Sequence, residues 1–200
     1  MTGESAALRI ALDLVRVPWR VRLLKAEKLP QGVPLLLRIA AGDGEAEAEA
    51  AGIADRPVDA VREAATFFIE QILLCPEADS YRVLGASADA DSGELRRNMA
   101  LLTRWLHPDV DRHGERAIFV GRVTKAWNDL KTPERRAAYD ERKRSQRAAN
   151  SVNGDARRVR RRLQDDLRPW NVAGQFDGAG REREGFLRRA LSFLLGGPRH

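Results

Sequence analysis

Apolar residues recur with a helical period along most of the chain. Leu95, Met99, Leu102 and Leu106 stand at i, i+4, i+7 and i+11, one face of a helix, and the pattern stops at His107-Pro108-Asp109. Pro108 cannot continue helical hydrogen bonding, and His107 suits a helix C-terminus, where unpaired carbonyls favour a donor or a positive charge. A second helix comes next, with Val120, Val123, Trp127 and Leu130 at i, i+3, i+7 and i+10 and with Phe119 and Ala126 widening its stripe. The connection from Pro108 to about Arg116 is long for a helical hairpin, and loops longer than packing requires tend to carry function. The tripeptide therefore belongs at an exposed tip.

Upstream, residues 5–29 read as helical, with Leu8, Ala11, Leu12 and Val15 on one face and Pro18 imposing a break before Trp19 to Leu29. Pro34 suits the first turn of a short buried helix through Leu35, Leu36, Leu37 and Ile39, closed by Gly42; a strand is the alternative. The acidic stretch from Gly42 to Gly52 is low in complexity, most simply a solvated loop, with a frayed helix as the alternative. Asp55 and Pro57 open a longer helix whose apolar face is Val61, Ala64, Ala65, Phe68, Ile72 and Cys75, and Pro76 ends it. So few residues separate that end from Tyr81 that this region should lean on the helices beginning there.

After Tyr139-Asp140 the chain becomes basic. Ser151 to Gly154 looks like a turn or linker, and Arg157 to Arg162 form a charge cluster with Asp165 and Asp166 at helical distance to pair with some of them. Phe186, Leu187, Ala190, Leu191, Leu194 and Leu195 repeat at helical spacing opposite Arg188 and Arg189, an amphipathic helix that either docks on its own protein or meets a lipid surface.

Composition narrows the function. Hydrophobic residues make up 43% of the 200, enough for a compact core. The formal charge of +6 is uneven: residues 1–78 carry 9 Lys/Arg against 12 Asp/Glu, whereas residues 144–200 carry 13 against 6. A basic tail with nearby acids and no interleaved aromatic platform does not predict specific nucleic-acid binding. One cysteine, Cys75, in an apolar setting excludes an internal disulfide and suits a reducing compartment. No apolar run reaches the length of a transmembrane span and the start lacks a signal peptide's charge pattern, so a cytoplasmic protein is expected. His107, His113 and His200 have no nucleophile to pair with, no cysteine pair could hold zinc, and no glycine run leads into Lys-Ser or Lys-Thr. No catalytic site, metal or cofactor is expected.

Four landmarks in order resemble the J domain of the DnaJ family. They are Asp79-Ser80-Tyr81-Arg82-Val83-Leu84-Gly85, the helix before the loop, Trp105 to Asp109, and the closing motif Thr132 to Asp140. The resemblance implies an all-α fold with a J domain over residues 79–143, an N-terminal helical region over 1–78 and a basic extension over 144–200, without the zinc-binding module of longer J proteins. It further implies a co-chaperone that binds the ATP state of a DnaK-type chaperone and speeds its ATP hydrolysis. Asp109 would offer its carboxylate to a partner arginine, with His107 and Pro108 shaping the loop. Arg96, Arg97 and Arg104 would supply the basic face of the helix before the loop. Tyr81, Leu84, Leu95, Leu102, Trp127, Arg136, Tyr139 and Asp140 would be structural. The family's Tyr-Lys-Arg in mid-helix is here Met99-Ala100-Leu101, its Lys two before the His is Trp105, and its Tyr one before is Leu106. The alternative is a degenerate J-domain scaffold for protein interaction or nucleic acid that barely stimulates a chaperone. Residues 1–78 are either a packing module or an adaptor for a client protein.

Leu101 and Trp105 lie one turn apart on a flank that an isolated J domain keeps polar. Such an apolar ridge has a reason to be covered, by the Asp59 to Cys75 helix or by Phe186 to Leu195.

Overall fold

A computed structural model describes residues 5–107 and 116–166, with side-chain surroundings as far as residue 151. All regular structure among the described residues is helical. Residues 1–148 form one compact unit and residues 149–200 another; the first contains the core and is described here.

α1 (Ser5–Arg16) turns Ala7, Leu8, Ala11 and Leu14 inward, while Leu12 and Val15 are only partly covered. The buried stripe is rotated slightly from the expected one because α5 lies along that side. Pro18 opens a 3-10 turn, Pro18–Arg20, before the short α2 (Val21–Leu24). α3 (Val33–Ala40) is a helix, with Pro34 in its first turn, and it is apolar on nearly every side. Such a helix must be surrounded. It packs against α1, α4, α5 and α7, which makes it the centre of the unit.

α4 (Gly44–Ala54) replaces the solvated loop expected for the acidic stretch. Asp43 caps it, accepting from the amides of Glu45 and Ala46, both at 3.2 Å, and its other oxygen takes the Arg38 Nε at 2.7 Å. Ala46 and Ala50, one turn apart, are fully buried, and Glu47 beside them accepts two bonds from the Arg62 guanidinium, both at 2.9 Å. Alanine and glutamate are strong helix formers, and the alanine methyls let a neighbouring helix come close. The partner that draws Glu47 inward lies 15 residues away, beyond any local pattern.

α5 (Val58–Phe68) continues as a π-helical turn, Ile69–Leu73. Val61, Ala64, Ala65, Phe68, Ile72 and Cys75 are all buried, as the spacing predicts, and Ile69, Leu73 and Leu74 join them. Next come α6 (Ser80–Val83), α7 (Ser92–Trp105), α8 (Ala117–Leu130) and α9 (Pro133–Asp166). α8 is turned so that Phe119 meets Trp105, ring centroids 6.1 Å apart. Its inward stripe is therefore Phe119, Val123, Ala126, Trp127 and Leu130, and Val120, expected inside, is 44% exposed. α9 is helical through 151–154, where a turn was expected. A single glycine such as Gly154 costs a helix about 1 kcal/mol, which flanking alanines and arginines can outweigh. The Phe186 to Leu195 segment lies outside the described residues.

The N-terminal helices meet the later ones at Gly85. Its φ of +64° already favours glycine, and an added Cβ would come within 2.9 Å of Val33 Cγ1 and 3.3 Å of Leu37 Cδ1. Around this contact the Arg82 guanidinium donates to the carbonyls of Leu24 and Glu27, and that of Arg122 to the carbonyl of Leu74. Gly85→Ala is expected to cost the full chain about 2 to 4 kcal/mol, from left-handed backbone strain plus overpacking. Urea unfolding measures it; an unchanged midpoint would mean that the two sets of helices do not press together there.

Candidate functional site

α6 is a single helical turn and depends on its caps and neighbours. Asp79 caps it by accepting from the Arg82 amide at 2.9 Å and pairs with Lys143 of α9. The Ser80 amide donates to the Tyr139 hydroxyl at 2.9 Å, and the Ser80 hydroxyl donates to Asp129 at 2.8 Å. The Tyr81 hydroxyl donates to the Asp140 carboxylate at 2.9 Å and accepts from Arg136 Nε at 2.9 Å. The remaining Arg136 nitrogens reach the carbonyls of Ala90 and Ala88 at 2.7 and 2.6 Å, on the loop that leads into α7. Tyr81, Arg136, Tyr139 and Asp140 are thus brought together across 55 to 59 residues of sequence. They hold α6 and the start of α7 against α9, and so set the position of the α7–α8 pair.

Four contributors escaped the sequence reading. Asn98 is buried and donates to the carbonyls of Leu84 and Gly85 at 3.0 and 3.4 Å. Ser80, Asp129 and Lys143 complete the α6 clamp, and Asp129 also receives Lys125 at 2.9 Å and Arg142 at 3.2 Å. Only the i, i+4 spacing of Lys125 and Asp129 was visible as a local signal.

Burial pushes the Asp79 and Asp129 carboxyls up, but their hydrogen bonds from Lys143 and from Lys125 and Ser80 outweigh it and hold both below the ordinary carboxylate value. A carboxyl whose folded-state pKa is depressed contributes stability that is complete above its unfolded pKa, about 3.9, and is lost as pH falls through the folded value. The chain is therefore expected to lose stability from about pH 4 downward, with Asp129→Asn flattening the slope. Urea midpoints at pH 7, 4 and 3 test this; parallel slopes for both proteins would contradict it.

On α7, Leu95 and Leu102 face the core, whereas Arg96, Arg97, Ala100 and Arg104 are exposed on the far side. His107, just past the end of the helix, is exposed as well; Pro108 and Asp109 lie outside the described residues. Leu84 is buried and Trp127 is partly buried in the same core.

The flank between these two faces is packed. Met99, Leu101 and Leu106 are partly buried and Trp105 is fully buried. Phe119 stacks on the Trp105 ring, and the Arg116 guanidinium lies over it at 4.8 Å while donating to the Trp105 carbonyl at 3.3 Å. α3 packs along α7, with Val33, Pro34 and Arg38 beside Leu101, and the Asp59 to Cys75 segment comes beside Arg116, the residue that lies over Trp105, with Asp59, Arg62, Thr66, Phe67 and Glu70 lining one groove with it. α3 is the more hydrophobic of the two and buries nearly its whole surface, so it occupies the centre while α5 lies against α1.

A short capped helix clamped to a later helix, then a helical pair whose connection begins at an exposed His107 with Pro and Asp next in sequence, is the architecture of a J domain. Residues 79–140 match the family model for the DnaJ domain, and this segment is a DnaJ domain. It is 38% identical over 64 residues to the Chaperone protein DnaJ of a Synechococcus strain, covering 32% of this chain and 17% of that protein. It is 32% identical over 68 residues to the Chaperone protein DnaJ of Latilactobacillus sakei, covering 34% and 18%. It is also 37% identical over 62 residues to the Curved DNA-binding protein of Coxiella burnetii, covering 31% and 20%. The chain thus spans a fifth or less of these relatives' length. No solved structure matches it. Among the described residues no helix is long and apolar enough to cross a membrane.

Proposed function

We propose that this protein is a cytoplasmic J-domain co-chaperone, which binds the ATP state of a DnaK-type chaperone and speeds that partner's ATP hydrolysis so that the partner closes on a client. The observation that carries this reading is the division of α7. Its apolar flank is packed away, while Arg96, Arg97 and Arg104 remain exposed along a line that leads to His107. Of the substitutions that set this chain apart from its family, Met99, Leu101, Trp105 and Leu106 belong to the packed flank, whereas Ala100, where the family has Lys, is exposed among Arg96, Arg97 and Arg104, so the basic face is retained in part.

On this reading the catalytic groups are the partner's and the protein is not itself an enzyme. The α7 arginines would steer and hold an acidic surface, and Asp109 would give its carboxylate to a partner arginine, a charge-assisted bond of the stronger kind. The α6–α9 clamp keeps α7 and α8 at a fixed angle, so the loop is presented on a rigid base. Residues 1–78 would brace that base and offer a surface of their own to a client.

Binding to the ATP-loaded chaperone tests the basic face. Arg96→Ala, Arg97→Ala and Arg104→Ala together are expected to weaken the complex about tenfold or more at low salt, with the difference shrinking as salt rises. Undiminished affinity of the triple variant would favour the reading in which this J domain is a scaffold that hardly engages a chaperone.

A further inference from the structure

Residues 1–78 are net acidic, yet several of their arginines gather at one place. Arg9 and Arg16 stand two turns apart on the outer face of α1, and Arg56 comes just after the end of α4, where Asp55 at φ +50° turns the chain. All three line one groove of about 220 Å³ between α1 and the end of α4. Arg20, Arg38, Arg62 and Lys25 of this region are ion-paired, whereas Arg9, Arg16 and Arg56 have no partner among the described residues. Three unpaired guanidiniums around one small groove repel one another, and an arriving anion relieves that repulsion.

The groove is not purely ionic. Leu8 and Leu12 lie beneath it, and Ile53 on its wall is 47% exposed. Its volume is below the roughly 300 to 1,000 Å³ of a small-molecule site and suits one or two side chains of a segment lying across it. Arg9 and Arg16 are separated by about 10 Å along α1, which carboxylates two helical turns apart would span. No aromatic ring lines the groove to stack on a base. The main apolar face of α1 is committed to the core, which leaves no amphipathic face for a lipid surface. Asp13, on the groove and 3.7 Å from Arg20, would oppose a dense polyanion more than single carboxylates.

We propose that the groove between α1 and the end of α4 binds an acidic segment of a partner protein, its carboxylates meeting Arg9, Arg16 and Arg56 and one apolar side chain resting on Leu12 and Ile53. The geometry is that of residues 8–56 alone, so this site stands or falls independently of the J domain's action on a chaperone.

Panning a random 12-residue phage library on the full chain tests it. Enriched sequences are expected to be acidic with an apolar residue among the acids. A synthetic copy, read by fluorescence anisotropy, should bind Arg9→Gln/Arg16→Gln/Arg56→Gln and, separately, Ile53→Asp about tenfold or more weakly. The glutamine changes are on exposed side chains and should leave circular dichroism and the unfolding midpoint unchanged. No enrichment, non-acidic sequences, or equal binding by the variants would overturn the site. So would tighter, arginine-dependent binding of phosphatidylglycerol vesicles or of a thymidine oligonucleotide than of the peptide.

Discussion

His107→Gln and Asp109→Asn are each expected to reduce stimulation of a DnaK-type chaperone's ATPase to the unstimulated rate, with the fold and unfolding midpoint unchanged. The expectation of unchanged stability rests on the exposure of His107, past the last turn of α7, and on the place at a loop tip that the sequence gives Asp109. Surface changes of this kind ordinarily move stability by no more than about 0.5 kcal/mol. The expectation of lost stimulation rests on chemistry. An amide in place of the Asp109 carboxylate keeps its size but removes the charge that a partner arginine would pair with. Steady-state phosphate release at saturating variant measures the effect. If either variant stimulated as well as the wild type, the loop would not be the acting element, whatever the rest of the domain does.

The largest effect on stability is expected at Trp105. It is fully buried, stacked on Phe119 and covered by the Arg116 guanidinium. A lysine there is ordinary for the family, but in this chain Trp105→Lys would leave a cavity and bring an ammonium beneath an existing cation. The combined cost should reach at least about 4 kcal/mol, enough to threaten folding of a domain this size. Trp105→Phe separates volume from charge. The Trp105 indole N–H has no hydrogen-bond partner among the described residues, so phenylalanine sheds an unsatisfied donor and loses only part of the packing. Its expected cost is less than half that of lysine. An isolated fragment of residues 79–143, stripped of α3, should likewise be less stable than the full chain and exchange its α7 amides faster. Denaturant unfolding and hydrogen exchange decide both points: a lysine variant as stable as the wild type would show that Trp105 does not anchor the core, and a fragment as stable as the full chain that the N-terminal helices do not support the J domain.

Legibility from sequence tracked the range of the interactions. The α7 stripe, the α8 stripe apart from Val120, and the burial of Cys75 could be read because periodicity reports them directly, while the landmarks singled out Tyr81, Arg136, Tyr139 and Asp140 as structural without saying that they meet. The ridge of Leu101 and Trp105 was recognisable as something needing a cover, since large apolar residues stood where charge is usual. The identity of the cover was not. That α3 would lie beside Leu101 and α5 beside Arg116 depends on how three helices share one core, and nothing local to Val33–Ala40 says which neighbour it will face. α4 failed for a related reason: alternating Glu and Ala has no long apolar stripe, and the helix is held in place by Arg62 from the next element and by the Asp43 cap. Asn98 was missed because a polar residue between two leucine positions reads as surface until its acceptors, the Leu84 and Gly85 carbonyls, are in place. Gly85 looked like part of a landmark, and its role as the point where Val33 and Leu37 press on the J domain needed the fold.

Single-turnover hydrolysis of ATP preloaded on a DnaK-type chaperone, measured with and without the full chain, bears most directly on what this protein does. Mixing is expected to accelerate the single turnover in a concentration-dependent way that saturates and weakens as salt rises, because the arginines of α7 contribute to binding. A turnover rate that stays at its basal value at every concentration of the chain, although the two proteins are folded, would contradict the co-chaperone reading.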